Sequence, residues 1–199
     1  MLRDKFYILC QKSTYNNKII EILWRDIKQS YSNRNRYYHT LSHLENIYNE
    51  LKPFSLTPEI EFSIFYHDIV YDIQKKDNEE KSALFAKKHL IKINIPDKII
   101  TNIQRLIIET KSHKSTSSEN TLFLDADLSI LGSNQEIYKA YIQNIRKEYL
   151  IYSDKEYKKG RKEVLKKFLK KDRLYLSEHF YNLYEKNARE NIKNELKLI

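Results

Sequence analysis

Two of the six histidines, His39 and His43, lie four positions apart in the segment RYYHTLSHLENIYNEL, residues 36–51. Residues four apart lie one turn apart on the same face of a helix. Leu44 and Ile47 continue that face, so we expect it to point towards a core. Two imidazoles beside a core can be metal ligands or an acid–base pair. Two buried, hydrogen-bonded histidines explain the same spacing equally well.

A second candidate is the adjacent pair His67 and Asp68 in the segment FYHDIVYD, with Asp72 one helical turn after Asp68. The neighbouring residues are apolar, and a carboxylate in apolar surroundings costs free energy unless it is paired, hydrogen-bonded or bound to a metal. A His-Asp dipeptide is common by chance. Either aspartate could also lie exposed on the last turn of a helix.

A third candidate is the apolar segment LFLDADLSILG, residues 122–132, which contains Asp125 and Asp127. No lysine or arginine is adjacent in sequence, so we expect these carboxylates to find partners elsewhere in the fold. Capping of a following helix is an alternative that suits Asp125 and explains Asp127 poorly.

The elements that must position these residues are helices. Only two glycines and three prolines interrupt the chain, which argues for long helices and an all-α fold. Thr57 followed by Pro58 predicts a helix start, and Asp77 with Glu80 predicts a capping box. Apolar periodicity predicts helices near 19–30, 40–51, 57–72, 77–92, 96–111, 122–132, 134–151, 154–170 and 177–196.

Composition indicates a folded protein in a reducing compartment. The chain is 41% hydrophobic and 32% charged, and its 199 residues suit a single domain, 1–199. One cysteine, Cys10, excludes an intramolecular disulfide. The N-terminal apolar run is too short for a signal peptide, and no run approaches the roughly 20 apolar residues of a membrane span. We therefore expect a cytoplasmic protein without membrane contact.

The order of these motifs resembles the HD-domain metal-dependent phosphohydrolases, all-α helical bundles in which a His, a later His-Asp pair and a final Asp lie on different helices. In the similar cyclic-nucleotide phosphodiesterases, the first helix carries two histidines spaced by four. The resemblance implies that His39 is a general acid, and the phrase ADLSI favours Asp127 over Asp125 as a ligand. The metal ligands that it implies are His43, His67, Asp68 and Asp127.

The likeness is greater to a bacterial group of predicted HD phosphohydrolases. The segments YHTLSH, FYHDIVYD, DNEEKSA, TKSH, LDADLSILG, the GR of KKGRKEVL, and ARENIKNEL have counterparts there in this order. The resemblance spans roughly 36–196, nearly the whole chain. It implies the fold, and it leaves the substrate open.

The implied chemistry is attack of a metal-activated water on a phosphate ester or anhydride. Two histidines and two aspartates suit Mn, Fe, Co, Ni or Zn, with Mg as an alternative. We expect the substrate to be a nucleotide or another small phosphorylated metabolite, with Asp72 orienting a ligand or the water. The predicted substrate contacts are Arg36, Glu79, Lys111 and His113. A zinc-protease site is excluded, because the glutamate of that motif is absent from HTLSH.

The net charge of +9 leaves a second class of function open. Lysines concentrate in KEYKKGRKEVLKKFLKKDR, residues 155–173, which could bind phosphate backbones. The same run has apolar residues at helical spacing, so a solvated helix face is the preferred interpretation. The alternative function is therefore a nucleic-acid-binding or partner-binding HD-fold protein without catalysis. The sequence leaves the number of metals and the oligomeric state open.

Overall fold

The computed structural model describes the backbone of residues 1–199 and every side chain except those of Ser118 and Glu119. The described backbone contains ten α-helices, one short 3₁₀ helix and no strand, which confirms the prediction of an all-α fold. In chain order these are α1 Leu2–Gln11, α2 Asn17–Tyr31, α3 Leu41–Glu50, α4 Pro58–Tyr66, α5 Asn78–Lys92, α6 Asp97–Glu109, α7 Ser118–Asp127, the 3₁₀ helix Ser129–Gly132, α8 Gln135–Glu148, α9 Asp154–Leu169 and α10 Glu178–Leu198.

The chain divides into two compact units, which we call the first unit (Met1–Leu124) and the second unit (Asp125–Ile199). The prediction of a single domain over 1–199 stays a prediction. In the first unit, α4 contacts α1, α3, α5 and α6. This central position follows from its sequence, PEIEFSIFY, because Ile60 and the five consecutive residues from Phe62 to Tyr66 are apolar or small and buried. A helix that is apolar on nearly every face must be surrounded by other elements.

In the second unit, the 3₁₀ helix packs closely on α10. A Cβ atom built on Gly132 would lie 2.5 Å from the Cβ of Tyr184 and 2.8 Å from its carbonyl oxygen. Only a residue without a side chain allows the two backbones to approach so closely. Gly132 is therefore required by packing.

Most predicted helix starts are confirmed. Thr57 is the N-cap of α4, and its hydroxyl accepts a hydrogen bond from the Ile60 N–H. Asp77 is the N-cap of α5, but the predicted capping box is wrong. Its carboxylate lies 2.9 Å from Lys81 Nζ, and Glu80 accepts a bond from Lys111 instead. The carboxylates of Asp77 and Glu80 thus accept from lysine ammonium groups and not from the backbone N–H groups of a capping box.

The helix α1 lies before residue 19, where the sequence pattern predicts none, and it corrects that prediction. Leu2, Phe6 and Leu9 are buried at helical spacing, so the apolar pattern was present but short. Within the described residues, no helix combines the length and the apolar character needed to cross a bilayer.

Candidate metal centre

The His-Asp pair lies in a turn that follows α4, because this helix ends at Tyr66. His67 is its C-cap residue. The N–H of Ile69 donates at 3.2 Å to the carbonyl of Tyr66, three residues back, whereas a continuing α-helix would use the carbonyl four residues back. The prediction of a helix through residue 72 is therefore wrong. The helix ends here because three side chains form hydrogen bonds with backbone N–H and carbonyl groups of this turn.

Arg36 is the first of these side chains, and only 9% of it is exposed. Its guanidinium donates to the carbonyl oxygens of Asp68 at 2.6 Å, Ile69 at 2.9 Å and His39 at 3.1 Å. It also lies 4.8 Å from the ring centre of Tyr31. Arg36 thus connects the segment before α3 with the turn after α4. These bonds direct the guanidinium to the backbone. The predicted contact of Arg36 with a substrate stays a prediction.

Tyr31 and Ser82 are the other two, and the sequence analysis missed both. The Tyr31 hydroxyl accepts a hydrogen bond from the Asp68 N–H at 3.2 Å. The Ser82 hydroxyl accepts from the Val70 N–H at 3.1 Å and lies 3.3 Å from the carbonyl of the same residue. Tyr31 is part of the apolar face of α2, which carries no signal of such a role. Ser82 is a fully buried polar residue in α5, and that was a usable signal.

Three side chains in the first unit form a compact group of potential ligands: His43, His67 and Asp68. One ligand atom from each lies within 4.8 Å of the others. The Nε2 atoms of His43 and His67 are 3.3 Å apart, and Asp68 Oδ2 is 3.4 Å from His67 Nε2. His43 and His67 are 3% and 1% exposed, so both imidazoles are removed from bulk water.

The tautomer of His67 follows from its other ring nitrogen. Its Nδ1 lies 3.0 Å from the carbonyl oxygen of Ile64. A carbonyl oxygen can only accept, so Nδ1 carries the proton and the lone pair of the neutral ring is on Nε2. Phe123 packs edge-on against the same ring at 5.6 Å and restricts its rotation. The Nε2 lone pair is therefore held towards His43 and Asp68.

The spacing of these atoms fits a shared cation. Two ligand atoms roughly 2.0–2.1 Å from one ion, at tetrahedral or octahedral angles, lie about 2.8–3.4 Å apart. The separations of 3.3 and 3.4 Å fall in this range. Two neutral imidazoles and a carboxylate also form a donor set that divalent transition metals prefer.

His39 borders this group on its more open side. It is 19% exposed, and its Nε2 lies 3.9 Å from Asp68 Oδ2. Its ring packs against Tyr71, with centroids 4.4 Å apart, and edge-on against Tyr38 at 4.9 Å. The structure therefore brings His39 and the three predicted ligands of the first unit into one neighbourhood.

The two aspartates of LFLDADLSILG belong to the second unit. Asp125 is buried, and its carboxylate accepts bonds from the Leu176 N–H and from the N–H and hydroxyl of Ser177 at 2.6–2.8 Å. Burial raises its pKa, although these bonds favour the charged form. Asp125 thus holds the start of α10. Asp127, the half-buried last residue of α7, stays the predicted fourth ligand.

Asp72 has a local partner. Its carboxylate is exposed and accepts a bond from the Gln74 N–H at 2.9 Å, as aspartates commonly do in turns. Its backbone N–H and carbonyl both bond to the side chain of Asn78. The structure does not bring Asp72 into the group of three ligands, and its catalytic role stays a prediction.

Two of the remaining predicted substrate residues, Glu79 and Lys111, form an ion-pair cluster with Glu80 at the start of α5. Lys111 donates to Glu80 Oε1 at 2.5 Å and lies 3.7 Å from Glu79 Oε2. The hydrogen bond that Lys111 donates to Glu80 raises the pKa of Lys111 and lowers that of Glu80. His113 is half-buried after α6, in the left-handed region at φ 49°. Contact of Glu79, Lys111 and His113 with a substrate stays a prediction.

His89, to which the sequence assigned no role, lies at the centre of a buried hydrogen-bonded chain. Its Nδ1 is 3.2 Å from the Tyr66 hydroxyl, and its Nε2 is 3.4 Å from Asp26 Oδ2. Burial lowers the pKa of His89 to about 4. A single histidine in a helix carries no sequence signal for such a chain.

No protein-family model, no curated protein and no solved structure matches this chain. The case for a function therefore rests on the geometry of His43, His67 and Asp68 and on the order of the motifs in the sequence.

Proposed function

We propose that this protein is an HD-type metal-dependent phosphohydrolase that acts in the cytoplasm on a phosphate ester or anhydride of a nucleotide or small metabolite. One observation carries the proposal: two buried histidine Nε2 atoms lie 3.3 Å apart beside the carboxylate of Asp68. The separations and the mixed nitrogen and oxygen donors suit coordination of one divalent cation by all three side chains.

His43, His67 and Asp68 would hold the metal, with Asp127 completing the set by resemblance. Mixed nitrogen and oxygen donors suit Mn, Fe, Co, Ni or Zn, with Mg as an alternative. When bound, such a metal polarises a phosphoryl group and lowers the pKa of a coordinated water towards neutrality.

The residues around the metal group define the side from which a substrate would approach. His43 and His67 are closed off, whereas the side chain of Asp68 is 20% exposed and that of His39 is 19% exposed. His39, when protonated, can donate a proton to the leaving oxygen of a substrate bound on that side. Tyr71 and Tyr38 hold its ring against rotation.

The first experiment is elemental analysis of the purified protein beside the variant His67→Ala/Asp68→Ala. We expect near-stoichiometric transition metal in the parent and its loss in the double variant. His179→Ala is the matched control, because His179 is an exposed histidine outside the group, and it should retain the metal. Absence of metal from the parent, even after loading with Mn²⁺ or Ni²⁺, would refute the proposal.

The second experiment tests catalysis and the fourth ligand. The metal-loaded protein is assayed with phosphate monoesters, phosphate diesters and nucleoside triphosphates. We expect turnover of at least one class, lost in His39→Gln at retained metal content. Asp127→Asn should release metal, whereas Asp125→Asn should lower stability and leave the metal in place. Stoichiometric metal without turnover of any of these substrate classes would show that the protein binds a metal, and it would refute the proposed phosphohydrolase activity.

A further inference from the structure

The second unit carries most of the positive charge of the chain on one helix. Residues 154–171, which are α9 and the two lysines after it, contain nine basic and three acidic side chains, a net +6 of the total +9. One of the basic residues, Arg161, is buried and paired with Glu195. The lysines remain to be explained.

Five of these lysines form a straight row, which we call the lysine row: Lys155, Lys159, Lys162, Lys166 and Lys170. Their spacing of three or four residues places them within about 80° of one another around the helix. The row is about 22 Å long, at 1.5 Å per residue. Lys162 is partly exposed, and the other four are exposed.

The acidic residues of α9 are mostly engaged elsewhere. Asp154 pairs with Arg146 at 2.6 Å, and Glu156 accepts bonds from Ser153 in a capping box. Among the side chains that the structure describes, no carboxylate lies within ion-pair distance of the lysine row. Five like charges at this spacing repel one another, since like pairs at i, i+4 are destabilising. A polyanion would relieve that repulsion.

The shape of the row favours a flexible strand over a duplex or a membrane. A duplex backbone completes roughly two-thirds of a turn over about 22 Å, so it would leave a straight row after a few phosphates. A single strand can follow the row along its length. Membrane insertion needs apolar side chains beside the lysines. The exposed apolar residue of α9, Val164, lies roughly opposite the row.

We infer that the lysine row of α9 binds the phosphate backbone of single-stranded nucleic acid, with each ammonium group facing one phosphate. Binding is independent of base sequence, because the row presents only ammonium groups.

The test is fluorescence anisotropy with a labelled oligouridylate of about 12 nucleotides, within the usual site size of single-strand binders, titrated from 50 to 200 mM salt. The variant is Lys159→Gln/Lys162→Gln/Lys166→Gln. The matched control, Lys18→Gln/Lys52→Gln/Lys98→Gln, removes three exposed lysines elsewhere and has the same net charge. Glutamine is nearly as good a helix former as lysine, so α9 should persist.

Five phosphate contacts predict a log–log salt slope of about −3.5, which is ~100-fold weaker binding across this range. With two contacts left, the row variant should have a slope of about −1.4 and lose only ~7-fold. The control should keep the parent slope. The single variant Lys166→Gln should reduce the slope by about 0.7, and it serves if the triple variant does not fold.

Three results would overturn the inference. Equal losses in the row variant and the control would mean that net charge alone attracts the oligonucleotide. Row-dependent binding to phosphatidylserine vesicles, without row-dependent binding to the oligouridylate, would assign the row to a membrane surface. Oligodeoxyuridylate and duplex arms complete the test: tighter binding of the duplex would contradict the geometry of a straight row.

Discussion

The two units each bury a polar centre, and the two centres are built on opposite principles. In the second unit, Arg161 and Glu195 make two hydrogen bonds at 2.7 and 3.0 Å, and the hydroxyls of Tyr138 and Tyr141 bond to the same pair. The charges are opposite, so the centre neutralises itself. Such a centre needs no ligand.

In the first unit, the centre formed by His43, His67 and Asp68 brings lone pairs together. The neighbouring cation, Arg36, donates to backbone carbonyls, including that of Asp68. Its charge is thus directed at the turn. The difference teaches that burial of charge does not by itself indicate function. The close approach of three potential ligand atoms supports the proposed metal site, because a bound cation can contact all three together.

The largest expected effect breaks the self-neutralising centre. Arg161→Met leaves Glu195 buried at 2% exposure without its cation, and we expect unfolding to become easier by about 3–5 kcal/mol in urea denaturation. The control is Arg3→Met, whose partner Glu21 is half exposed, and it should change stability far less, because water screens an exposed ion pair. Arg161→Met/Glu195→Leu should recover most of the loss. Equal effects of the two single changes would contradict the distinction between buried and exposed pairs.

The next effect concerns the turn that carries the His-Asp pair. Arg36→Met removes three hydrogen bonds to carbonyl oxygens, with an expected cost of about 2–4 kcal/mol. Because Arg36 positions both ligand-bearing segments, metal affinity should also fall by about 10–100-fold in competition with a chelator. Arg36→Lys keeps the charge without the planar fork and should restore little. Full metal affinity in Arg36→Met would show that the turn holds its geometry without it.

The free energy of unfolding of the first unit should depend on pH through His89. The pKa of His89 falls from its usual 6.5 to about 4 in the fold, so the unfolded chain binds the extra proton between these values. Stability is therefore complete above about pH 6.5 and declines by up to about 3 kcal/mol as the pH falls to 4. His89→Gln should remove this slope in urea titrations at several pH values. Persistence of the same slope in the variant would assign it to other groups.

The smallest effects come from the two glycines of the second unit. Gly132→Ala forces a Cβ against Tyr184 and should cost about 1–3 kcal/mol. Gly160 lies within α9, and nothing lies within 4 Å of a Cβ built there. Gly160→Ala should therefore stabilise the second unit by up to about 1 kcal/mol. The thermal unfolding midpoint should fall in Gly132→Ala and rise in Gly160→Ala. Shifts of the same sign would contradict the packing at Gly132.

What the sequence determined by itself is local. The all-α fold, the N-cap Thr57 and most helix boundaries follow from interactions between residues three or four apart, which a linear pattern reveals. The candidate ligands His43, His67 and Asp68 were also predicted, because their types and order carry chemistry. The structure places the three side chains close together in the first unit, and their role as ligands stays a prediction.

What only the tertiary structure decided depends on residues far apart in the chain. The end of α4 at Tyr66 depends on hydrogen bonds that Tyr31 accepts and Arg36 donates, which join positions 32–37 residues apart. Asp125 meets its donors at the start of α10, 51 and 52 residues away. A buried polar group takes whichever donor the packed helices bring to it. The residue type shows that a partner is needed, and only the packing of the helices decides which partner it is.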